Sequence, residues 1–163
     1  MTDDTQTTPA ARILVVDDED MVLTSLKSFL ELETDYEVCT FTNAAEALEF
    51  AHQNQVDLVI SDYLMPDMDG ITFLSKIKDI DPNITRIILT GYADKENAIK
   101  AINEVGIFQY IEKPWDNEHL KIVLRNGLEK RKLMRELDRK VAEIQKAYED
   151  LQALQKDILK AFA

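Results

Sequence analysis

The sequence predicts an α/β fold: a doubly wound, five-stranded parallel sheet with helices on both faces, followed by one long C-terminal helix. Three observations carry this expectation. Five short runs rich in apolar residues recur between residues 12 and 112. Segments with apolar residues at helical spacing separate them. Beyond residue 117 the pattern becomes a single heptad-spaced helix.

Ile13-Leu14-Val15-Val16 is expected to form the first strand, because its apolar run is too continuous for a strand with one wet face. Val22, Leu26, Phe29 and Leu30 follow at helical spacing. Glu37–Phe41 is the second strand, and Ala44, Ala47, Leu48 and Ala51 mark a second helix. Asn43 stands where an N-cap belongs, and Glu46 three residues on completes a capping-box spacing. Leu58-Val59-Ile60 starts the third strand. The loop Pro66-Asp67-Met68-Asp69-Gly70 then leads to a helix marked by Ile71, Leu74 and Ile77, with Gly70 expected to adopt positive φ. Ile87-Ile88-Leu89 is the fourth strand. A helix marked by Ala98, Ile99 and Ile102 follows, with Asp94 as its expected N-cap, and Phe108–Ile111 is the fifth strand.

The 163 residues suit one domain of 12–128 and an extension of 129–163, with 1–11 as a polar, disordered leader. Residues 1–116 hold 23 Asp/Glu and 8 Lys/Arg, a net of −15, whereas residues 117–163 hold 8 acidic and 11 basic, a net of +3. An acidic body argues against nucleic acid as a partner, since a phosphate backbone needs a basic footprint. Cys39 is the sole cysteine, which excludes an intrachain disulfide and a multi-cysteine zinc site. It reads as small core filler within the second strand. No apolar run exceeds four residues, far too short to span a membrane, and the leader has no signal-peptide pattern. A cytoplasmic location is therefore expected.

In an open parallel sheet the binding crevice lies at the carboxyl ends of the strands. Asp17-Asp18, Asp62, Thr90 and Lys113 all fall at such ends. Adjacent carboxylates repel unless a cation neutralises them, and hard oxygen donors with phosphate suit magnesium. Asp17-Asp18 therefore points to Mg2+, although Asp18-Glu19-Asp20 is equally readable as a cap for the next helix. A carboxylate such as Asp62 can attack phosphorus to give an aspartyl phosphate; its plain reading is a turn former before Pro66. Asp67 and Asp69 fit that turn role better than catalysis. The Thr90 hydroxyl can donate to a phosphoryl oxygen, Gly91 leaves access beside it, and the Lys113 ammonium can pair with carboxylate or phosphate. Pro114 biases Lys113 toward extended backbone. His52 and His119 have no ligating neighbours in sequence and read as helix-end residues, and Trp115 as packing at the base of the last helix.

Taken together, Ile13-Leu14-Val15-Val16-Asp17-Asp18-Glu19, Asp62-Tyr63-Leu64-Met65-Pro66-Asp67-Met68-Asp69-Gly70, Ile88-Leu89-Thr90-Gly91 and Tyr110-Ile111-Glu112-Lys113-Pro114-Trp115 resemble, in order and spacing, the receiver domain of bacterial two-component response regulators. The resemblance covers about Arg12 to Leu128. It implies a flavodoxin-like strand order 2-1-3-4-5. It implies Asp62 as phosphoacceptor from a histidine kinase or phosphotransfer protein, and magnesium on Asp18 and Asp62 directly, on Asp17 through water and on the Leu64 carbonyl. It further implies Lys113 and Thr90 as phosphoryl-binding groups, and Thr90 with Tyr110 as the switch. The domain itself would not be an enzyme. An aspartyl-nucleophile phosphatase would prefer a second acid two residues after Asp62, where this chain has Leu64.

In the tail, Met134, Val141, Tyr148 and Gln155 share one heptad position, and Leu137, Ile144, Leu151 and Ile158 share the position three residues on. The narrow stripe predicts a homodimeric coiled coil rather than a helix folded on the body. Such a stalk, running uncapped to Ala163, suits a receiver that feeds an output domain, for example a nucleotide cyclase or cyclic-dinucleotide enzyme. A DNA-binding output is disfavoured, since no helix-turn-helix pattern follows residue 128.

Overall fold

The computed structural model describes residues 9–162; the expected leader lies largely outside the described residues, as does Ala163. Strands and helices alternate as β1 Arg12–Val16, α1 Asp20–Glu33, β2 Glu37–Phe41, α2 Ala44–Gln53, β3 Leu58–Asp62, α3 Gly70–Ile80, β4 Thr85–Thr90, α4 Lys95–Val105, β5 Gln109–Glu112 and α5 Asn117–Ala161. All neighbouring strands are parallel, and the sheet order is β2-β1-β3-β4-β5, as expected.

Successive strand residues point to opposite faces, so each strand feeds two cores. Leu14, Val16, Val59 and Ile88 pack with Ala44, Ala47, Phe73, Leu74, Ile77 and Ala98 from α2, α3 and α4. Ile13, Val15, Leu58, Ile60, Ile87 and Leu89 pack with Leu23, Leu26 and Leu30 of α1 and Leu120, Val123 and Leu124 of α5. Leu26 and Leu30 are fully buried, worth roughly 1.5–3 kcal/mol each by transfer from water. These two layers make the sheet rigid where the site is built.

The helix starts differ in part from the sequence reading. Asn43 caps α2 through its side chain, which accepts from the Glu46 amide at 3.2 Å. Asp94 makes no capping bond, because a 3-10 turn over Tyr92–Asp94 precedes α4. On α4 the buried residues are Ala98 and Ala101, while Ile99 is exposed, so small side chains set that helix against the sheet. Gly70 does not adopt positive φ; among the described residues only Gly106 does, at 71°.

Helix α5 runs 45 residues without interruption. Its first part lies on the sheet, with the Gly127 carbonyl accepting from the Thr85 hydroxyl at 2.6 Å. Arg131 is its last buried residue. That guanidinium donates to Asp57 at 3.0 Å and to Asp81 at 3.1 Å, and every described residue after it is exposed. No helix among the described residues is long and apolar enough to cross a membrane.

Candidate functional site: an acidic cluster at the strand ends

Strand register brings the expected residues to one edge. Val16 pairs with Ser61, Asp62 with Leu89, and Thr90 with Glu112, so β1, β3, β4 and β5 end almost flush. The chain is then tied off from strand to strand. The amides of Tyr63 and Lys113 donate to the carbonyls of Leu89 and Thr90, each at 2.9 Å, and Asp17 donates to Phe41 at 3.1 Å. Side chains that leave such an edge cannot drift apart.

Carboxylate oxygens of Asp17, Asp18 and Asp62 all lie within 4.8 Å of one another. Asp17 is fully buried and Asp18 exposed. Asp17 Oδ1 accepts from the Glu19 amide at 2.8 Å, so the start of α1 is held by Asp17; Glu19, at the N-cap position, makes no side-chain capping bond. The capping alternative for Asp18-Glu19-Asp20 therefore shifts one residue back, and Asp18 is left free for the cluster. Lys113 reaches in from the residue just after β5, and the Lys113–Pro114 peptide that follows it is cis. Its Nζ lies 2.8 Å from Asp17 Oδ2 and 3.3 Å from Asp62 Oδ1.

This asymmetry sets the electrostatics. Burial and the Asp17 charge push Asp62 up to about 6, and Lys113 only partly opposes them. Burial also works against the Lys113 ammonium, but hydrogen bonds and charge from Asp17, then Asp62, hold it above its ordinary value. The two directions look opposed for one ion pair. The distances reconcile them: the ammonium is committed to Asp17 and leaves Asp62 under-neutralised. Three carboxylates against one ammonium leave about two negative charges when all are ionised. A divalent cation with hard oxygen preference fits that donor set.

The phosphoryl-binding and switch candidates flank the cluster. Thr90 is fully buried, and its hydroxyl donates to the Gly91 carbonyl at 3.1 Å. A Cβ built on Gly91 would meet nothing within 4 Å, so the space beside Thr90 is open. Tyr110 is half-buried on β5. The Lys95 ammonium lies 5.9 Å from its ring centroid and 3.4 Å from Glu112. Leu64 is exposed at the head of the β3–α3 loop, and Tyr92 is exposed after β4. The stalk candidates Met134, Leu137, Val141, Ile144, Tyr148, Leu151 and Ile158 lie far along α5, 37–70% exposed and without an apolar partner among the described residues.

Two contributors to the site escape sequence reasoning. Gly70 opens α3 so close beneath β3 that an added Cβ would overlap the Asp62 carbonyl oxygen, with Ser61 Oγ 3.2 Å away. The glycine is needed for close approach rather than for φ. The Gly70 amide donates to the Tyr63 carbonyl at 2.9 Å and closes the loop over the strand end. Lys95 is the second, since nothing in its local sequence ties it to Tyr110. Asp67 and Asp69 are structural, but they bond to helix starts rather than only shaping a turn: Asp69 caps α3 through the Thr72 amide at 2.7 Å, and Asp67 accepts from the Ala44 amide at the start of α2 at 3.1 Å.

Comparison with known proteins places this geometry. Residues 13–125 match the response regulator receiver domain family. Among curated proteins, the hydrogenase transcriptional regulatory protein HoxA of Cupriavidus necator is 36% identical over 79% of this chain and 26% of its own length. Response regulator Rre1 of Synechocystis is 30% identical over 90% of this chain and 64% of its own. The chain thus spans about a quarter of the length of the HoxA-type relatives. Among solved structures, the signal receiver domain of an HD domain-containing protein from Pseudomonas fluorescens superposes with a TM-score of 0.75 at 38% identity, over 82% of this chain and 98% of that one. A chain described as adenylate cyclase from Rhodopirellula baltica gives 0.76 at 30% identity, over 81% and 97%.

Proposed function

Since this chain belongs to the response regulator receiver family, we propose that it takes a phosphoryl group on Asp62 from a histidine kinase or phosphotransfer protein and passes the change to its C-terminal helix. An Asp62 carboxylate oxygen attacks phosphorus, the bond from phosphorus to the donor's imidazole nitrogen breaks, and the imidazole takes up a proton. Little covalent chemistry is asked of the protein beyond positioning and charge neutralisation. The observation that carries the reading is Asp62 itself: a carboxylate at a flush strand edge, 3.3 Å from an ammonium and within an under-neutralised acidic cluster.

Asp17, Asp18 and Asp62, with the Leu64 carbonyl, are the groups that would hold Mg2+. Bound there, the ion supplies the positive charge that lets carboxylate and phosphoryl oxygens approach. Lys113 holds Asp17 before transfer and pairs with the phosphoryl group after it. A phosphoryl group adds roughly −1.5 to −2 charge and three strong acceptors. The Thr90 hydroxyl would exchange its bond to the Gly91 carbonyl for one to a phosphoryl oxygen, using the open space beside Gly91, and Tyr110 would move inward behind it. The stripe on α5 then serves as a dimerising stalk. The partners are a phosphodonor protein and a second copy of the chain, with no role proposed for nucleic acid or a membrane.

Labelling with radioactive acetyl phosphate tests this reading. Stoichiometric label that needs magnesium and falls at least tenfold with Asp62→Asn supports it. Label that persists in the mutant would move the acceptor elsewhere. A second reading, a receiver within a larger enzyme, draws on the likeness to the chain described as adenylate cyclase. The reading frame after Ala163 decides it: a cyclase-type domain there supports it, and a stop codon removes it.

A further inference from the structure

The apolar stripe of α5 leaves open how two copies would meet. We propose that the stalk pairs parallel and in register with a second copy, with Gln155 as the residue that fixes the orientation. The inference rests on the dimeric stalk proposed above.

Heptad positions decide between the two pairings. Met134, Val141, Tyr148, Gln155 and Phe162 occupy position a, and Leu137, Ile144, Leu151 and Ile158 position d. In a parallel pair each layer matches a residue with its own copy. Gln155 then faces the other Gln155, and the two amides satisfy each other as donor and acceptor. In an antiparallel pair with the same overlap, a faces d, so Gln155 faces Leu137 and Val141 faces Leu151. Each Gln155 amide would then be buried against a leucine with its donors and acceptor unsatisfied. One polar residue at position a is a known way to fix register.

The flanking positions agree. Leu154 at g and Leu159 at e are 55% and 65% exposed in the single chain. A parallel pair sets g of one helix against the next e of the other, so Leu154 covers Leu159 of the second copy on both sides. The antiparallel pair sets Leu154 against Lys140 instead. Apolar against apolar is the better match.

The receiver bodies leave room for this arrangement. Leu120, Val123, Leu124, Gly127 and Arg131 are the residues of α5 buried against the body. At roughly 100° per residue, the stripe that starts with Met134, Leu137, Val141 and Ile144 points about 80° away from that face. A second helix can therefore pack from the first turn beyond Arg131 without meeting its neighbour's body, and two-fold symmetry sends the two bodies to opposite flanks. Repulsion between the acidic bodies weighs against the arrangement. It acts across a Debye length of about 8 Å at physiological salt, and the basic stretch Lys130, Lys132, Arg135 and Arg139 lies at the stalk's base between them.

Cysteine pairing in the full chain tests the orientation separately from dimerisation. In a Cys39→Ala background, sedimentation first establishes that the chain is a dimer; a monomer at every concentration would overturn the stalk reading and this inference with it. Given a dimer, Leu151→Cys should form a disulfide with its own copy in most molecules on mild oxidation. Val141→Cys mixed with size-tagged Leu151→Cys should give no heterologous crosslink above background. A dominant 141–151 crosslink would overturn the parallel arrangement while leaving the dimer intact. Gln155→Leu should retain or tighten the dimer but let the 141–151 crosslink rise severalfold. If that crosslink stays at background, Gln155 does not fix the orientation.

Discussion

Burial, then the Asp17 charge, makes Asp62 a weaker acid, and the ammonium that could oppose them is held closer to Asp17, at 2.8 Å against 3.3 Å. Because its carboxyl is pushed up to about 6 from an ordinary 3.8, the folded protein binds this proton more tightly than the unfolded chain. The associated stability is present below about pH 4 and is lost as pH rises through 6. Asp62→Asn cannot ionise, so without magnesium it should be more stable than the parent at pH 8 and equal to it near pH 4. Two pH units correspond to about 3 kcal/mol. Asp62 keeps solvent contact, its side chain being 13% exposed, which reduces the expected gain to roughly 1–2 kcal/mol in urea melts. Saturating magnesium should shrink or reverse the difference, since an ion that binds only the folded parent stabilises it by mass action. Gly70→Ala should act on the same residue from below. Its Cβ would overlap the Asp62 carbonyl, so a loss of about 1–3 kcal/mol and slower labelling are expected in parallel melts and labelling assays. The charged members of the site were legible in the sequence because each follows a strand. Gly70 was misread because the sequence shows a glycine after a turn, not the strand carbonyl that crosses above it.

At the scale of elements, the strands that carry the site also hold the helix that leaves it. β3 bears Asp62 at its carboxyl end, and Asp57, just before its amino end, binds Arg131. β4 ends at Thr90 and begins at Thr85, whose hydroxyl holds the Gly127 carbonyl. Gly127 poses a contest between two effects. Alanine in a helix interior gains about 1 kcal/mol over glycine, but here its Cβ would lie 2.9 Å from Thr85 Cγ2 and 3.1 Å from Leu58 Cδ1. Both neighbours belong to the packed sheet, so overpacking should win and Gly127→Ala should lose about 1–2 kcal/mol in urea melts. Arg131→Met keeps the stem volume but leaves Asp57 and Asp81 without their cation. Because those carboxylates are 22% and 38% exposed, the loss should be about 1–2 kcal/mol rather than that of a fully buried pair. The strands and the heptad stripe were readable from periodicity. The clasp was not, because Asp57, Asp81 and Arg131 are ordinary charges until the fold brings sequence separations of 50 and 74 residues together.

For the molecule as a whole, the body ends at Arg131 and the stripe begins at Met134, so the two parts should separate cleanly. A chain cut after Lys132 should melt within about 1 kcal/mol of the full chain, because the side chains it loses are exposed, and should accept label at the same rate while losing any concentration-dependent association. The sheet order followed from the strand sequence once the receiver resemblance was seen, since alternation alone gives layers but not the order of strands within them. Charge asymmetry was equally plain in the sequence, with the acidic body and basic stalk base dividing near residue 117. The central claim is that Asp62 becomes an acyl phosphate. Borohydride reduction of the acetyl-phosphate-treated, magnesium-loaded chain, followed by peptide mass spectrometry, tests it most directly, because reduction turns a phosphorylated aspartate into homoserine. Homoserine at position 62 alone is the expected result; homoserine at Asp17, Asp18 or any other acid, with Asp62 unchanged, would contradict it.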